Sequence, residues 1–105
     1  MAIGSLIVET DNLIELDGLQ DQNTSAYIND ATVTVTLLDS SGSQVSGETW
    51  PLTMSYVTDS DGKYRATLAD TLVIKPNKRY QAKVVADGGS GKKRTWYHST
   101  SAVRG

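Results

Sequence analysis

Two acidic residues and a glycine in the stretch TDSDGKYRATL, residues 58–68, have types and spacing that could bind calcium. An EF-hand loop needs oxygen ligands at positions 1, 3 and 5, glycine at position 6 and a bidentate glutamate at position 12. With Gly62 at position 6, Asp59 and Asp61 occupy positions 3 and 5, but valine and leucine occupy positions 1 and 12. The pattern therefore excludes an EF-hand. A hairpin tip, in which Asp-Gly supplies a positive φ, is the interpretation we favour, and a weak surface cation site at the two aspartates stays open.

The glycine-rich loop at 87–92 and the single histidine, His98, are the other places where chemistry is conceivable. A phosphate-binding P-loop requires G-x-x-x-x-G-K-[ST], and here the first glycine and the final hydroxyl residue are both missing. No nucleophile elbow accompanies His98, and the paired aspartates lie in turns open to water, where general acid catalysis is not expected. We therefore expect no enzyme, no catalytic residue, no metal site and no cofactor.

A basic and aromatic cluster near the C-terminus is the candidate interaction surface, formed by Lys92, Lys93, Arg94, Trp96 and Tyr97. Phosphate pairing combined with base stacking uses these residue types in proteins that bind nucleic acid. The whole chain is acidic, however, with a pI of about 5.2, and its carboxylates repel a phosphate backbone. We therefore expect a protein partner at this cluster, and neither nucleic acid nor a small-molecule ligand.

The charges are divided between the two halves of the chain. Residues 1–62 hold ten acidic residues and no Lys or Arg, whereas residues 63–105 hold ten basic residues and two acidic ones, so the halves carry −10 and +8. Two arrangements follow from this polarity. Opposite charges on neighbouring strands neutralise each other within the molecule, or separate acidic and basic faces allow copies to stack head to tail.

Alternation of apolar and polar residues with a period of two dominates the sequence and predicts strands. The turn residues Gly, Ser, Asp and Asn recur every 8 to 12 residues, which is typical of β-sandwiches. The fold class that we predict is an all-β, immunoglobulin-like or transthyretin-like antiparallel β-sandwich of about seven strands. The predicted strands are 6–9, 13–16, 31–37, 52–57, 63–69, 79–86 and 92–103.

The size and composition are those of one domain. The 105 residues support a single core, and we expect one β-sandwich domain over 1–105, with 1–10 as an extended N-terminal arm. There is no cysteine to form a disulfide, which favours a reducing compartment. No signal-peptide pattern and no apolar run of membrane-spanning length is present, so we expect a protein made in the cytoplasm and no membrane association.

Tyr80 opens a predicted strand after the segment LVIKPNKR. In immunoglobulin-like sandwiches a tyrosine at this point bonds back to the backbone a few residues upstream, in a tyrosine corner. We predict this contact for Tyr80. An X-Pro bond is the only realistic place for a cis peptide bond. Pro51 follows Trp50 at a strand start, where its missing donor is tolerated, and the sequence leaves open whether this bond is cis.

The segments DNLIELDGLQD, YINDATVTVTLLDSSGSQV and WPLTMSYVTDSDGKYRATL, within residues 11–87, carry a resemblance to small proteins encoded by tailed bacteriophages and prophages. The resemblance implies a virion protein on an immunoglobulin-like sandwich: a head-decoration, head–tail completion or tail component, assembled in the cytoplasm of the bacterial host. Its partners would be other virion proteins or further copies of itself, and it carries over no binding residue.

A carbohydrate- or surface-binding module is the alternative function. Trp50, Trp96, Tyr97 or Tyr56, if exposed, would stack on sugar rings. The position of the rings distinguishes the two functions, because two or three coplanar rings on one face favour sugar binding and buried rings remove that possibility.

Overall fold

Every regular element in the described part of the chain is a strand. The structure, a computed structural model, describes residues 6–9, 11–21, 24–89 and 93–103. Within these ranges there is no helix, and so none that is long and apolar enough to cross a membrane. The predictions of an all-β fold and of about seven strands are confirmed. The strands are β1 (Leu6–Ile7), β2 (Asn12–Leu16), β3 (Thr32–Asp39), β4 (Leu52–Tyr56), β5 (Tyr64–Leu68), β6 (Arg79–Asp87) and β7 (Lys93–Val103).

The seven strands form one mixed sheet in the order β1-β7-β6-β3-β4-β5-β2. The expectation of a wholly antiparallel fold was wrong, because β1 runs parallel to β7. The reason lies in the connections. Five successive antiparallel pairings lead from β2 to β7, so these two strands run in opposite directions. Since the chain also reverses between β1 and β2, with Glu9 at φ 60° in the turn, β1 must run along β7 in the same direction.

The sheet curls until its two edge strands lie close together. β1 and β2 occupy opposite edges of the sheet, yet only four residues separate them in the chain. The five Cα-to-Cα steps from Ile7 to Asn12 span at most about 18 Å even when fully extended. The side chain of Asn12 then hydrogen-bonds both backbone groups of Ile7. The result is a nearly barrel-shaped sheet around one core.

The inner wall of this sheet consists of the residues that the period-two pattern assigned to it. The side chains at most 1% exposed on this wall include Val33, Val35, Leu68 and Val84, so these four residues belong to the buried core, as predicted. Burial of each such side chain contributes about 1.5–3 kcal/mol. Cross-strand registers place them in layers, with Val33 beside both Ala86 and Met54.

Strand β4 changes partner halfway along its length. Leu52–Met54 pairs with β3, whereas Ser55 and Tyr56 pair with β5. On the N-terminal side of Ser55, β4 and β5 therefore separate, and the sheet divides at this point into a part containing β2 and β5 and a part containing β3, β6 and β7. Trp50–Pro51, just before β4, is a cis peptide bond.

Three contacts fasten the loops to the strands. The hydroxyl of Tyr64, in β5, donates to the carbonyl of Ile28 at 2.8 Å and accepts from the N–H of Ala31 at 3.0 Å. Gly62 accepts from the Leu19 N–H at 3.0 Å through its carbonyl. The predicted tyrosine corner is confirmed, because the backbone N–H of Lys75 donates to the Tyr80 hydroxyl at 2.8 Å.

Candidate functional site

The basic and aromatic cluster lies on β7, and the strand distributes its members over two faces. Lys92 lies outside the described residues. Of the others, Lys93 and Tyr97 point to the outer face of the sheet and are exposed, whereas Arg94 and Trp96 are half-buried on the inner side. Successive side chains of a strand point to opposite faces. The cluster that is continuous in sequence is therefore not continuous in space.

The inner members of the cluster contact each other. The guanidinium carbon of Arg94 lies 4.8 Å from the centroid of the Trp96 ring, which is a cation–π contact. Trp96 also packs against the buried core. The Arg94 and Trp96 side chains therefore contact each other, and the Trp96 ring also contacts the core of the same molecule. His98, next in the same inner row, is half-buried beside the small side chain of Ala82, and no ion pair joins it to a carboxylate of the described chain.

The outer members belong to a polar surface, here called the outer face. Tyr97 is 57% exposed and lies beside Lys83 of β6, which in turn lies beside Thr36 of β3. On either side of the row formed by Tyr97, Lys83 and Thr36, the outer face carries small hydroxyl side chains and the side chain of Val85. Three neighbouring strands of the sheet, β7, β6 and β3, contribute to this surface. Among the described residues, Tyr97 is its single exposed aromatic ring.

The four aromatic rings proposed for sugar stacking do not form a platform. The Trp50 indole is half-buried and its Nε1–H donates to the Val45 carbonyl at 2.6 Å. The Tyr56 ring is half-buried against Tyr64, with centroids 5.7 Å apart and planes at 60°. Tyr97 is exposed on the face opposite Trp96. Because coplanar exposed rings were the criterion for sugar binding, this arrangement gives the carbohydrate alternative no support.

The stretch at 58–68 is a hairpin connection, as predicted. It joins β4 to β5, and the Val57 N–H donates to the Lys63 carbonyl at 2.9 Å across its base. Asp59 and Gly62 both have positive φ, at 62° and 67°. The connection is longer than a two-residue turn, and Ser60 holds its interior by donating through its hydroxyl to the Val57 carbonyl. Within the described residues no group of three acidic or histidine side chains is placed to hold a metal ion.

The opposite charges of the two chain halves meet across β2 and β5. Glu15 lies beside Arg65 in the register, and its carboxylate is 3.6 Å from the Arg65 guanidinium and 3.5 Å from the Lys63 amine. Lys63 is also 3.5 Å from Asp17. The arrangement in which neighbouring strands neutralise each other therefore occurs in this part of the molecule, although exposed pairs of this kind contribute only about 0–1 kcal/mol each.

A polar cleft of about 420 Å³ lies where β3, β6 and β7 meet, and sequence reasoning did not single it out. One Asp39 oxygen accepts from the Ser41 hydroxyl at 2.7 Å and from the backbone N–H groups of Ser41 and Ser43. These bonds, that from the Ser41 side chain above all, lower the pKa of Asp39 below its ordinary value. Arg79 and Gln81 line the same cleft. The sign of this cleft in the sequence was the segment Asp39-Ser-Ser-Gly, and that segment predicts a turn but no cleft.

The margin of β7 opposite β6 is the second feature that sequence reasoning did not locate. β7 is eleven residues long, and residues 93–101 pair with β6 on one side. On the other side, among the described residues, only Ala102 and Val103 have a partner strand.

Comparisons with known proteins identify no relative. No family model matches the sequence, no curated protein matches it, and no solved structure matches the fold.

Proposed function

We propose that the protein is a structural or assembly component of a tailed-bacteriophage virion that acts through protein–protein contacts. Its role in the virion is head decoration, head–tail completion or that of a tail component, and it is assembled in the cytoplasm of the bacterial host. The observation that carries the interaction role is the outer face, where Tyr97 is 57% exposed beside Lys83 of β6, which in turn lies beside Thr36 of β3. The bacteriophage setting rests on the resemblance carried by residues 11–87.

We further propose that the fold is immunoglobulin-like. In that topology the second, fourth and fifth strands form one sheet, and the third, sixth and seventh form the other. The pairings β2-β5-β4 and β3-β6-β7 have this arrangement, and the partner change of β4 gives the point where the two sheets separate. The bond from the Lys75 N–H to the Tyr80 hydroxyl, at the start of the sixth strand, has the geometry of a tyrosine corner. A transthyretin-like arrangement is the alternative.

The test is binding to purified bacteriophage particles. The protein is mixed with virions and with empty capsids of the bacteriophage whose genome encodes it, at low and at high salt, and the particles are pelleted. We expect saturable co-sedimentation that weakens as salt rises, because screening shortens the range of contacts between charged surfaces. Sedimentation velocity of the protein alone measures self-association in parallel. A chain that stays monomeric at both salt concentrations and also fails to bind either particle contradicts the proposal.

A further inference from the structure

The ladder between β4 and β5 ends at the pair Ser55–Arg65, although both strands continue beyond it. At the base of the hairpin the Val57 N–H donates to the Lys63 carbonyl at 2.9 Å. Because the backbone groups of alternate residues point to opposite sides of a strand, the odd-numbered residues of β4 and β5 direct theirs towards each other. The even-numbered residues direct theirs to the strands on the far sides, β3 and β2.

Thr53 and Thr67 are the next odd-numbered residues in this register, and no pair joins them. Thr53 keeps its place opposite Thr34 of β3, and Thr67 keeps its place opposite Leu13 of β2. The backbone N–H and C=O groups of Thr53 and Thr67 point to the other side, into the space between β4 and β5. Within the described chain these groups therefore have no partner strand.

The segments that precede β4 and follow β5 approach each other again. The Val73 N–H donates to the Ser46 carbonyl at 2.9 Å, and the Thr71 hydroxyl donates to the Gly47 carbonyl at 3.1 Å. The opening between the two strands is therefore closed at both ends, and it is here called the β4–β5 window. A cleft of about 470 Å³ lies at this window. Residues 24–89 are described without a gap, so every residue that borders the window is described.

The lining of the β4–β5 window combines an exposed polar rim with apolar side chains. Thr53, Ser55 and Thr67 contribute three hydroxyl groups, and Arg65 contributes a guanidinium group. All four of these residues are exposed, whereas Ala66, which also lines the cleft, is buried. Sites that bind a ligand are typically concave and partly apolar, with a few polar groups that fix its orientation.

The charges around the window favour an anion at one end of it. Arg65 is the single charged residue of the lining, and within the described chain its guanidinium donates no hydrogen bond. Its ion pair with Glu15, at 3.6 Å, is longer than the distance of about 2.7–2.9 Å in a charge-assisted hydrogen bond, and Glu15 also contacts Lys63. Glu48 and Asp70 are the sequence neighbours of the residues that close the opposite end. A carboxylate is therefore attracted to the Arg65 end and repelled from the other.

We propose that the β4–β5 window receives a short acidic segment of a partner protein from the outer side of the sheet. The backbone of the segment bonds the unpaired groups of Thr53 and Thr67, because strand N–H and C=O groups without a partner recognise another backbone. An Asp or Glu side chain of the segment binds Arg65. The window gives a site and a partner chemistry to the protein–protein role proposed above. It rests on that role for its biological purpose, while its geometry depends on β4 and β5 alone.

Amide hydrogen exchange tests whether the window is open in the free protein. The Ser55 amide belongs to the hydrogen-bonded pair with Arg65, whereas the Thr53 amide faces the window. We expect the Thr53 amide to exchange at least tenfold faster than the Ser55 amide, because exchange requires that the hydrogen bond of an amide be broken. Equal protection of the two amides in the free chain means that the window is closed or covered, and it overturns the proposal.

A peptide titration tests the chemistry of the partner. The probe is a pool of acetylated and amidated pentapeptides with a central glutamate and random flanks, and the readout is the NMR shift of each backbone amide of the protein. We expect saturable shifts at Thr53, Arg65 and Thr67, and binding at least tenfold weaker for pools with a central glutamine or lysine. Absence of saturable shifts, or equal binding of the glutamate and lysine pools, overturns the proposal. Acetate ion, which has a carboxylate but no peptide backbone, is the further control, and equal binding of acetate also overturns it.

Two charge variants test the role of Arg65. Arg65→Gln should bind the glutamate pool at least tenfold more weakly, because a charge-assisted hydrogen bond is lost. The matched control is Lys63→Gln, which removes the same charge and also an ion pair with Glu15, although Lys63 does not line the window. The control should bind like the wild type. An equal loss in the two variants means that general charge attraction, and not the window, holds the peptide, and it overturns the proposal.

A proline at Thr53 separates the window from the proposed function. Proline is tolerated in a strand where its N–H has no ladder partner, so Thr53→Pro should keep its β circular dichroism spectrum. It should bind the glutamate pool at least tenfold more weakly than Thr53→Ala, because it lacks the N–H that faces the window. Both variants are then tested for particle binding. A wild-type chain that binds the peptides but no particle contradicts the virion role alone. A wild-type chain that binds particles but not the acidic peptides contradicts the window alone.

Discussion

The side-chain amide of Asn12 binds both backbone groups of Ile7. Its Oδ1 accepts from the Ile7 N–H at 2.9 Å, and its Nδ2 donates to the Ile7 carbonyl at 3.1 Å. Ile7 belongs to β1 at one edge of the sheet and Asn12 begins β2 at the other. A single side chain therefore performs the pairing that a strand ladder would perform in a closed barrel, and it joins the first and last strands of the sheet order.

Replacement of Asn12 by aspartate should be strongly destabilising. Asn12 is only 9% exposed, and the substitution puts a carboxylate oxygen opposite the Ile7 carbonyl in place of a donor. We expect the free energy of unfolding to fall by about 3 kcal/mol, because a buried polar group loses its partner and a charge is desolvated. Urea denaturation measures this. The matched control is Asn29→Asp, since the Asn29 Oδ1 only accepts from the Gly62 N–H and a carboxylate can do the same. A similar loss in both variants contradicts the role given to Asn12.

Gly62 should tolerate no side chain. A Cβ there would lie 2.5 Å from the Leu19 nitrogen and 2.6 Å from its oxygen, and φ is +67°. We expect Gly62→Ala to cost about 3–4 kcal/mol from backbone strain and overpacking together. Gly42→Ala is the control, because φ is also positive, at +88°, but nothing lies within 4 Å of the added atom. It should cost about 1–2 kcal/mol. If urea denaturation gives equal losses of unfolding free energy for Gly62→Ala and Gly42→Ala, backbone strain alone accounts for the cost and the contact with Leu19 contributes nothing.

The strands were predictable because alternation of side chains is a local property. The pattern TVTVTL places valine and leucine on one face whatever strand pairs with it, and the same rule gave 52–57 for the strand observed at Leu52–Tyr56. The partner of each strand is a long-range property. Nothing in residues 6–7 alone indicates β7 as their neighbour, ninety-six positions along the chain at the Leu6–Ala102 pair. The parallel direction of β1 follows only when the whole strand order is known.

The candidate site was harder to predict than the fold. A run of basic and aromatic residues suggested one surface, although alternation on the predicted strand already implied that Lys93 and Arg94 point to opposite faces. The neighbour of β7 on the side opposite β6 is β1, and the period-two pattern gave that strand as 6–9 rather than Leu6–Ile7. The Asp39 cleft depends on Arg79, forty residues away in the sequence, and a turn motif contains no information about such a neighbour.

Tyr80→Phe should test the tyrosine corner. The substitution removes the hydroxyl that accepts from the Lys75 N–H at 2.8 Å and leaves that donor without its partner. We expect a loss of about 1–2 kcal/mol in the free energy of unfolding. Tyr27→Phe is the control, because Tyr27 is 48% exposed and should change stability by less than about 0.5 kcal/mol. If both variants unfold at the same urea concentration as the wild type, the corner contributes nothing measurable.

Tyr64→Phe should reveal a dependence of stability on alkaline pH. Burial raises the pKa of the Tyr64 phenol above its ordinary value of 10.0, Asp30 and Tyr56 add to the rise by electrostatic repulsion, and the bond from the Ala31 N–H opposes it. A pKa that is higher in the folded state contributes stability that is fully present below pH 10 and is lost as pH rises through the folded value. At neutral pH the variant should be less stable by about 2–4 kcal/mol, since the Ile28 carbonyl and the Ala31 N–H both lose their partner.

The difference between wild type and Tyr64→Phe should therefore narrow above pH 10. Urea denaturation at pH 8, 9.5 and 11 measures it, with Tyr27→Phe as the control for general alkaline effects such as loss of lysine charge. We expect the wild-type curve to fall more steeply than the Tyr64→Phe curve, and the Tyr27→Phe curve to remain parallel to wild type. A constant difference from pH 8 to 11 would mean that Tyr64 ionises equally easily in the folded and unfolded chains, and that its bonds to the Ile28 and Ala31 backbone are not maintained in solution.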